Sequence, residues 1–228
     1  MVRVLGIVPA RSGSKRLVGK NLRTLAGKPL VCHAIEAALA AKSLEGVILS
    51  SDAPDILACA DAYAGVRALE RPAELSTDEA PAIGYVLHAL QHCRFTPDAV
   101  AIIQPSSPFT QGEDIDATVE ALFALGALSS ASVCEVRHDL HPSKFKVLDQ
   151  GMLKPYFEEE GNRRAHHELR TAYVRNGSVY VSTIAAIKCG NLLEEPCAAY
   201  LMPNERSLDI NSVQDLRFAE FLMQNQQR

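Results

Sequence analysis

No stretch of this sequence stays apolar over the roughly 18–20 residues that a helix needs to cross a bilayer, so a helical membrane span is excluded. The opening apolar run, Val2 to Val8, is too short for a secretory signal and leads straight into a polar loop. A soluble, cytoplasmic protein with no membrane partner is therefore expected. The six cysteines (Cys32, Cys59, Cys93, Cys134, Cys189 and Cys197) form no C-x-x-C pair and no short Cys/His spacing of a metal site. That removes a zinc or dithiol motif, and thiols inside apolar runs are expected to be reduced and buried. The seven histidines lack ligand spacing as well. An excess of positive charge is also missing: 23 Lys and Arg stand against 27 Asp and Glu, a net charge of −4. No nucleic-acid surface is expected on such a body. Internal repeats and low-complexity linkers are absent. With 228 residues, a single domain spanning 1–228 with a small excursion is the natural organisation.

What is present begins with the strand-like run Val4 to Val8, followed by Pro9-Ala-Arg-Ser-Gly-Ser-Lys-Arg-Leu-Val-Gly-Lys20-Asn21. A loop of small residues carrying Arg11, Lys15, Arg16 and Lys20 lets backbone N–H groups and fixed cations converge on a polyanion such as a triphosphate. It is not a Walker A loop, because Gly13 and Gly19 are one residue too far apart and Asn21 follows the lysine. It is not G-x-G-x-x-G either. Spacing alone also admits a solvated basic loop after an edge strand.

The rest of the chain alternates. Strands are expected at 46–51, 66–69, 99–103, 130–136, 178–182 and 198–202, and helices at 30–41, 55–63, 80–93, 115–125 and 213–224. This β/α rhythm predicts a three-layer α/β/α sandwich around a mainly parallel, Rossmann-like sheet. It breaks over 138–170, a stretch richer in His, Pro and charge that does not resolve into a βα unit.

Ligands of open parallel sheets collect beyond the carboxyl ends of strands. The basic loop, Ser50-Ser51-Asp52, Gln104-Pro105 and Asp209 all follow apolar runs. Arg11 and Lys20 are the candidates to hold a triphosphate and its departing pyrophosphate. Ala10, Ser12, Gly13 and Ser14 would allow close backbone approach. Asn21 could bond phosphate or ribose, or cap the next turn. Gln104, a polar residue directly after a buried strand, is expected to face a site. Asp209 is the candidate ligand for Mg²⁺, which favours one or two carboxylates plus phosphate oxygens, whereas Asp215 reads as an early-turn residue of the last helix. Ser106 and Ser107 lack an arranged His/Asp partner, so a serine hydrolase is rejected.

Read whole, these segments resemble the acylneuraminate (CMP-sialic acid or nonulosonic acid) cytidylyltransferases. The resemblance is carried by Pro9-Ala-Arg with Ser14-Lys15, by Lys20-Asn21-Leu22 and by Gly27-Lys-Pro-Leu30. It continues in Arg71-Pro-Ala-Glu-Leu-Ser-Thr-Asp78, Gln104-Pro-Ser-Ser-Pro-Phe109, His141-Pro-Ser-Lys144, Asn176-Gly-Ser-Val-Tyr180 and Leu208-Asp-Ile-Asn211. It spans almost the whole chain. The resemblance implies that CTP and an acidic 2-keto sugar are the substrates, Mg²⁺ the cofactor, and a homodimer the assembly, with 138–170 as the arm between subunits. It implies that Arg71, Thr77 and Asp78 read the nucleotide, although Arg71 could instead pair with Glu70 or Glu74 at the surface. It also implies that Gln104 meets the sugar; Lys144, Arg164, His166, Tyr173 and Asn176 are the further candidates for sugar contact, with a solvated loop as the alternative for the adjacent His166 and His167. Two departures stand out. The family's Asp-x-Asp is here Asp209-Ile210-Asn211, so Asn211 could offer the metal a carbonyl oxygen but neither charge nor a general base. Around Arg163-Arg164-Ala-His166-His167 the usual arginine-glutamine pair is absent, which suggests a sugar other than plain N-acetylneuraminate. A CMP-Kdo synthetase is the rival enzyme, and a catalytically silent nucleotide-sugar-binding protein, suggested by Asn211, is the rival of another class.

Overall fold

The computed structural model describes residues 2–157 and 170–226. In β1 (Val4–Pro9), Val4 and Val8 point to one side and Leu5 and Ile7 to the other, and all four are buried. This is the pattern of a strand covered on both faces. Among these residues the sheet has seven strands, in the spatial order β11 (Cys197–Leu201), β7 (Ser129–Glu135), β10 (Tyr173–Thr183), β6 (Ala99–Ile103), β1, β4 (Leu44–Ser51) and β5 (Val66–Glu70). All run parallel except β10, which is antiparallel to both of its neighbours.

The helices α1 (Leu30–Ala40) and α4 (Gly112–Ala124) bury Val31, Ile35, Ile115 and Leu122 on the face of Val4 and Val8. The helices α3 (Ala82–Gln91) and α5 (Ile184–Lys188) cover the opposite face with Tyr85, Val86, Ala89 and Ile187. The expected three-layer α/β/α sandwich is thus what the chain forms. Each buried aliphatic side chain contributes about 1.5–3 kcal/mol. A one-residue slip of a central strand would exchange its two faces, so the double covering also fixes the register.

A third cluster joins Leu17, Leu25, Leu30, Phe109 and Ile210 to Ala219 of α6 (Val213–Gln226). It ties the loops that follow β1 and β6 to the carboxy-terminal helix, next to the strand ends. No helix among the described residues is long and apolar enough to cross a membrane.

Several elements differ from expectation. The segment read as one helix over 55–63 is a short α2 (Pro54–Leu57) that tightens into a 3-10 turn at Ala58–Ala62 before the chain enters β5. α4 begins at Gly112, earlier than the apolar periodicity indicates, because Gln111 and Asp114 form a reciprocal capping box. Within 138–157 the chain makes two 3-10 turns and a hairpin of β8 (Lys146–Asp149) and β9 (Met152–Pro155). The small β2 (Thr24–Leu25) and β3 (Lys28–Pro29) pair ahead of α1 was not legible either.

Candidate active site at the carboxyl ends of the strands

A cavity of about 510 Å³ opens where β1, β4, β5 and β6 end, and its wall includes Arg11, Lys20, Arg71, Tyr85, Gln104 and Asn211. The loop after β1 is tied by hydrogen bonds to the end of β4 and to Asp52. The Ala10 amide donates to Ser50 O at 2.9 Å. Ser12 donates from its amide and hydroxyl to the two oxygens of Asp52, at 2.8 and 2.6 Å. Burial disfavours the charge on Asp52, but the bonds from Ser12 outweigh it and hold the carboxyl below its ordinary range. Asn21 donates from Nδ2 to Arg11 O at 2.8 Å, so it braces the loop and does not cap the following turn.

The cations of the loop meet two kinds of partner. Arg11 pairs with Asp78 at 2.6 Å, and Lys15 pairs with the other oxygen of the same carboxylate. Lys15 first, then Arg11, draws the Asp78 carboxyl below its usual value. Lys20 reaches across to donate to Ile210 O at 3.0 Å, and burial lowers its pKa despite the nearby Asp209 charge. Lys15 and Arg16 also line the cavity.

Arg71 is buried, which rules out a surface pair with Glu70 or Glu74. Its Nε donates to Ser50 Oγ at 3.0 Å, its Nη2 to Ser50 O at 2.9 Å, and its guanidinium lies 4.5 Å from the ring centroid of Tyr85. Gln104 follows β6 directly, with its amide bonded to Ser178 O at 3.0 Å.

Asp209 and Asn211 stand side by side, as residues two apart on an extended segment should. Asn211 Nδ2 donates to Asp209 Oδ2 at 2.7 Å. An ionised carboxylate only accepts, which fixes the amide nitrogen toward Asp209. Asp209 Oδ1 is buried without a hydrogen-bond partner among the described residues. A buried anionic oxygen left bare is costly, and a hard divalent cation with oxygen ligands would satisfy it together with the Asn211 carbonyl. Among the described residues no group of three or more His, Cys, Asp or Glu could hold a metal alone. A cation here would therefore depend on substrate oxygens for much of its shell. An asparagine just ahead of a helix can also cap it, but capping of α6 belongs to Ser212 Oγ, which accepts from the Asp215 amide at 3.2 Å. Asp215 in turn accepts from the amides of Asn211 and Ser212, as expected of an early-turn residue.

Gly177 lies against Asp209 in a backbone conformation that favours glycine. It has φ +76°, where β10 shifts register, and a Cβ there would lie 3.4 Å from the Asp209 carboxylate. Gly177→Ala is expected to destabilise the fold by about 1–3 kcal/mol and to raise the divalent-cation concentration needed for activity. Thermal unfolding and a metal titration of turnover check the two effects, and a wild-type metal midpoint would show that Gly177 does not govern Asp209.

Other expected site residues lie off the cavity wall. Ala10 is wholly buried, Ser12 is held by Asp52, and Gly13 is exposed with open space around it. Thr77 accepts from the Ala80 amide at 3.1 Å in a turn. Asn176 is buried and saturated: its Oδ1 accepts from Ser132 Oγ at 2.7 Å, and its Nδ2 donates to Met202 Sδ and Ser207 Oγ at 3.0 and 2.9 Å. Its side chain braces β7, β10 and the segment leading to Asp209. Lys144 and Tyr173 are exposed, with Lys144 Nζ 3.2 Å from His138 Nδ1. Arg164 and His166 lie outside the described residues. A further brace escaped the sequence: Arg206 Nη2 bonds the fully buried Asp114 at 2.5 Å, and Tyr200 OH bonds the same carboxylate at 3.1 Å. This pins the approach to Asp209 onto the start of α4. Removing one partner of such a buried pair costs about 3–5 kcal/mol.

The family model described as cytidylyltransferase matches residues 5–181. The chain is 34% identical to the CMP-N,N'-diacetyllegionaminic acid synthase of Legionella pneumophila, over 98% of this chain and 97% of that protein. It is 31% identical to the N-acylneuraminate cytidylyltransferase of Escherichia coli over 99% of its own length, and spans 53% of that longer protein. A solved structure of CMP:2-keto-3-deoxy-manno-octonic acid synthetase complexed with CTP superposes with a TM-score of 0.73. That match covers 98% of this chain and 99% of the other at 17% identity, which shows a shared fold.

Proposed function

Because the chain belongs to the cytidylyltransferase family, we propose that it joins CTP to an acidic nine-carbon 2-keto sugar of the sialic or nonulosonic class, giving a CMP-sugar and pyrophosphate. The observation that carries the reading is the convergence on one cavity wall of Arg11, Lys20 and Arg71 with Asn211, beside the unpartnered oxygen of Asp209. Two curated relatives over nearly the whole chain are named for CMP-sugars or substrates of this class.

In the proposed reaction the anomeric hydroxyl of the sugar attacks the α-phosphate in line, and pyrophosphate leaves without a covalent enzyme intermediate. Arg11 and Lys20 hold the triphosphate and stabilise charge growing on the leaving oxygens. The Ser12–Asp52 bonds keep the loop in place while this happens. Arg71 faces the base, and Gln104 is positioned for the sugar. Asp209, with the carbonyl of Asn211, would hold a divalent cation, which we take to be Mg²⁺. When bound, that ion supplies charge neutralisation at the phosphates. A reaction that consumes CTP also fits a cytoplasmic location.

Pyrophosphate release from CTP with a panel of keto-acid sugars tests the reading. Turnover with nonulosonic acids is expected. Turnover with Kdo alone would move the enzyme to the eight-carbon branch, and none with any sugar would leave a binding protein.

The assembly we propose is a homodimer of one nucleotidyltransferase domain, with 138–170 as its arm. In the hairpin, Leu148, Met152 and Leu153 are 71, 69 and 72% exposed. A lone two-stranded hairpin is marginally stable in water, and apolar side chains gathered on it call for a partner surface. Light scattering is expected to give a two-subunit mass at micromolar concentration, and Leu148→Asp with Leu153→Asp is expected to shift the protein toward monomer. A single-subunit mass for the unaltered chain would remove the proposal.

A further inference from the structure

Arg71 makes an unusual set of contacts for a residue at a cavity wall. Ser50, itself fully buried at the end of β4, accepts from the guanidinium twice, through its hydroxyl and its carbonyl. The guanidinium also lies over the Tyr85 ring from α3, 4.5 Å from its centroid. Nη1 has no hydrogen-bond partner among the described residues and is left for a ligand.

Tyr85 is only 8% exposed, yet it lines the cavity, and its hydroxyl makes no hydrogen bond among the described residues. A buried tyrosine usually places its hydroxyl on a partner. Here the ring, and not the hydroxyl, makes the specific contact. Cations favour the face of such a ring, and a guanidinium has donors only. Cytosine offers two adjacent acceptors, O2 and N3, whereas uracil carries a proton on N3. A donor-only fork held in one place thus distinguishes the bases, and a fork free to swing does so less well.

We propose that Tyr85 is a positioning residue for base selection: its ring is the platform that holds the Arg71 guanidinium, anchored on Ser50, against the acceptor edge of cytosine. This rests on the reading of the cavity as a CTP site. An arginine on a flexible stem gains selectivity when its fork is fixed before the ligand arrives. Tyr85 therefore acts through Arg71, not on the reacting phosphate.

Calorimetric titration of the intact protein with CTP and with UTP, both with Mg²⁺ and no sugar, tests this. The unaltered protein is expected to bind CTP more tightly than UTP. Tyr85→Leu is expected to weaken CTP about tenfold and UTP much less, so that the ratio narrows. Tyr85→Phe keeps the ring and is expected to restore the ratio. An unchanged ratio in Tyr85→Leu, an equal loss of both nucleotides, or a collapsed ratio in Tyr85→Phe would each overturn the proposal. Should Tyr85→Leu fail to fold by circular dichroism, Ser50→Ala removes the hydroxyl anchor with little loss of volume. It should narrow the ratio too, and an unchanged ratio there would equally overturn the idea. Preference for CTP without pyrophosphate release from any sugar would sink the transferase reading and leave this inference standing. No preference for CTP in the unaltered protein would remove both.

Discussion

Lys20→Ala and Arg11→Ala are each expected to lower turnover by at least about tenfold, ~1.4 kcal/mol of transition-state stabilisation, while leaving the protein folded. Neither side chain belongs to the apolar core; both are held over the cavity by single polar contacts, Lys20 on Ile210 O and Arg11 on Asp78. Charge developing on a departing pyrophosphate is what they are placed to meet, so the loss should appear in kcat as well as in KM for CTP. Asp78 already neutralises Arg11 and Lys15 in the free protein, and an incoming triphosphate must compete with it. The pH dependence follows from Lys20. Burial lowers its pKa, so its ammonium is lost at a lower pH than that of an ordinary lysine. Affinity for CTP should be full below that lowered pKa and fall as the pH rises through it. Lys20→Arg, whose charge persists, should push that decline to higher pH. If both alanine variants keep wild-type rates at limiting and at saturating CTP, the triphosphate assignment is wrong.

Much of this fold was legible because its central strands are buried on both faces. Val4 to Val8 and Ala99 to Ile103 read as strands since every residue in them is apolar or glycine. The direction of β10 was not legible, because an apolar run carries no sign of which way it pairs. The β8–β9 hairpin escaped for a local reason. Its turn residues, Gln150 and Gly151, both have positive φ, 48° and 81°. Asn or Asp before the glycine would have announced such a turn, whereas glutamine does not. At the site, the cations of the first loop stood out because they follow a buried strand. Tyr85 did not, since an aromatic on the apolar face of a helix looks like core, and here one ring serves as both core and cavity wall. Asn176 misled in the opposite way. The Asn-Gly pair looks like a ligand contact in sequence, but its amide is saturated internally and holds the bulge beside Asp209. The Asp114–Arg206 pair joins residues 92 apart, and no local pattern could have disclosed it.

Asp209→Asn is expected to remove most activity, at least about a hundredfold or ~2.7 kcal/mol in the barrier. It discharges the carboxylate whose buried oxygen has no protein partner among the described residues. Asn211→Ala should cost less, since the amide contributes one neutral oxygen and one hydrogen bond to Asp209. Asn211→Asp is the informative change. With a cation bound, a second carboxylate adds charge to a site of hard oxygen ligands, so the Mg²⁺ midpoint for pyrophosphate release should fall. Without one, two carboxylates face each other where an amide donor stood, and one of them should take up a proton. The variant should therefore depend on Mg²⁺ for thermal stability more steeply than the unaltered protein does. At low Mg²⁺ it should also work faster if the new carboxylate can accept the proton of the sugar hydroxyl. Helix capping does not explain such a response, because Ser212 and Asp215 already cap α6. The decisive measurement is the Mg²⁺ dependence of pyrophosphate release in the unaltered protein, Asn211→Asp and Asn211→Ala. A single midpoint shared by all three would take Asn211 out of the metal site and leave Asp209 to hold the cation alone.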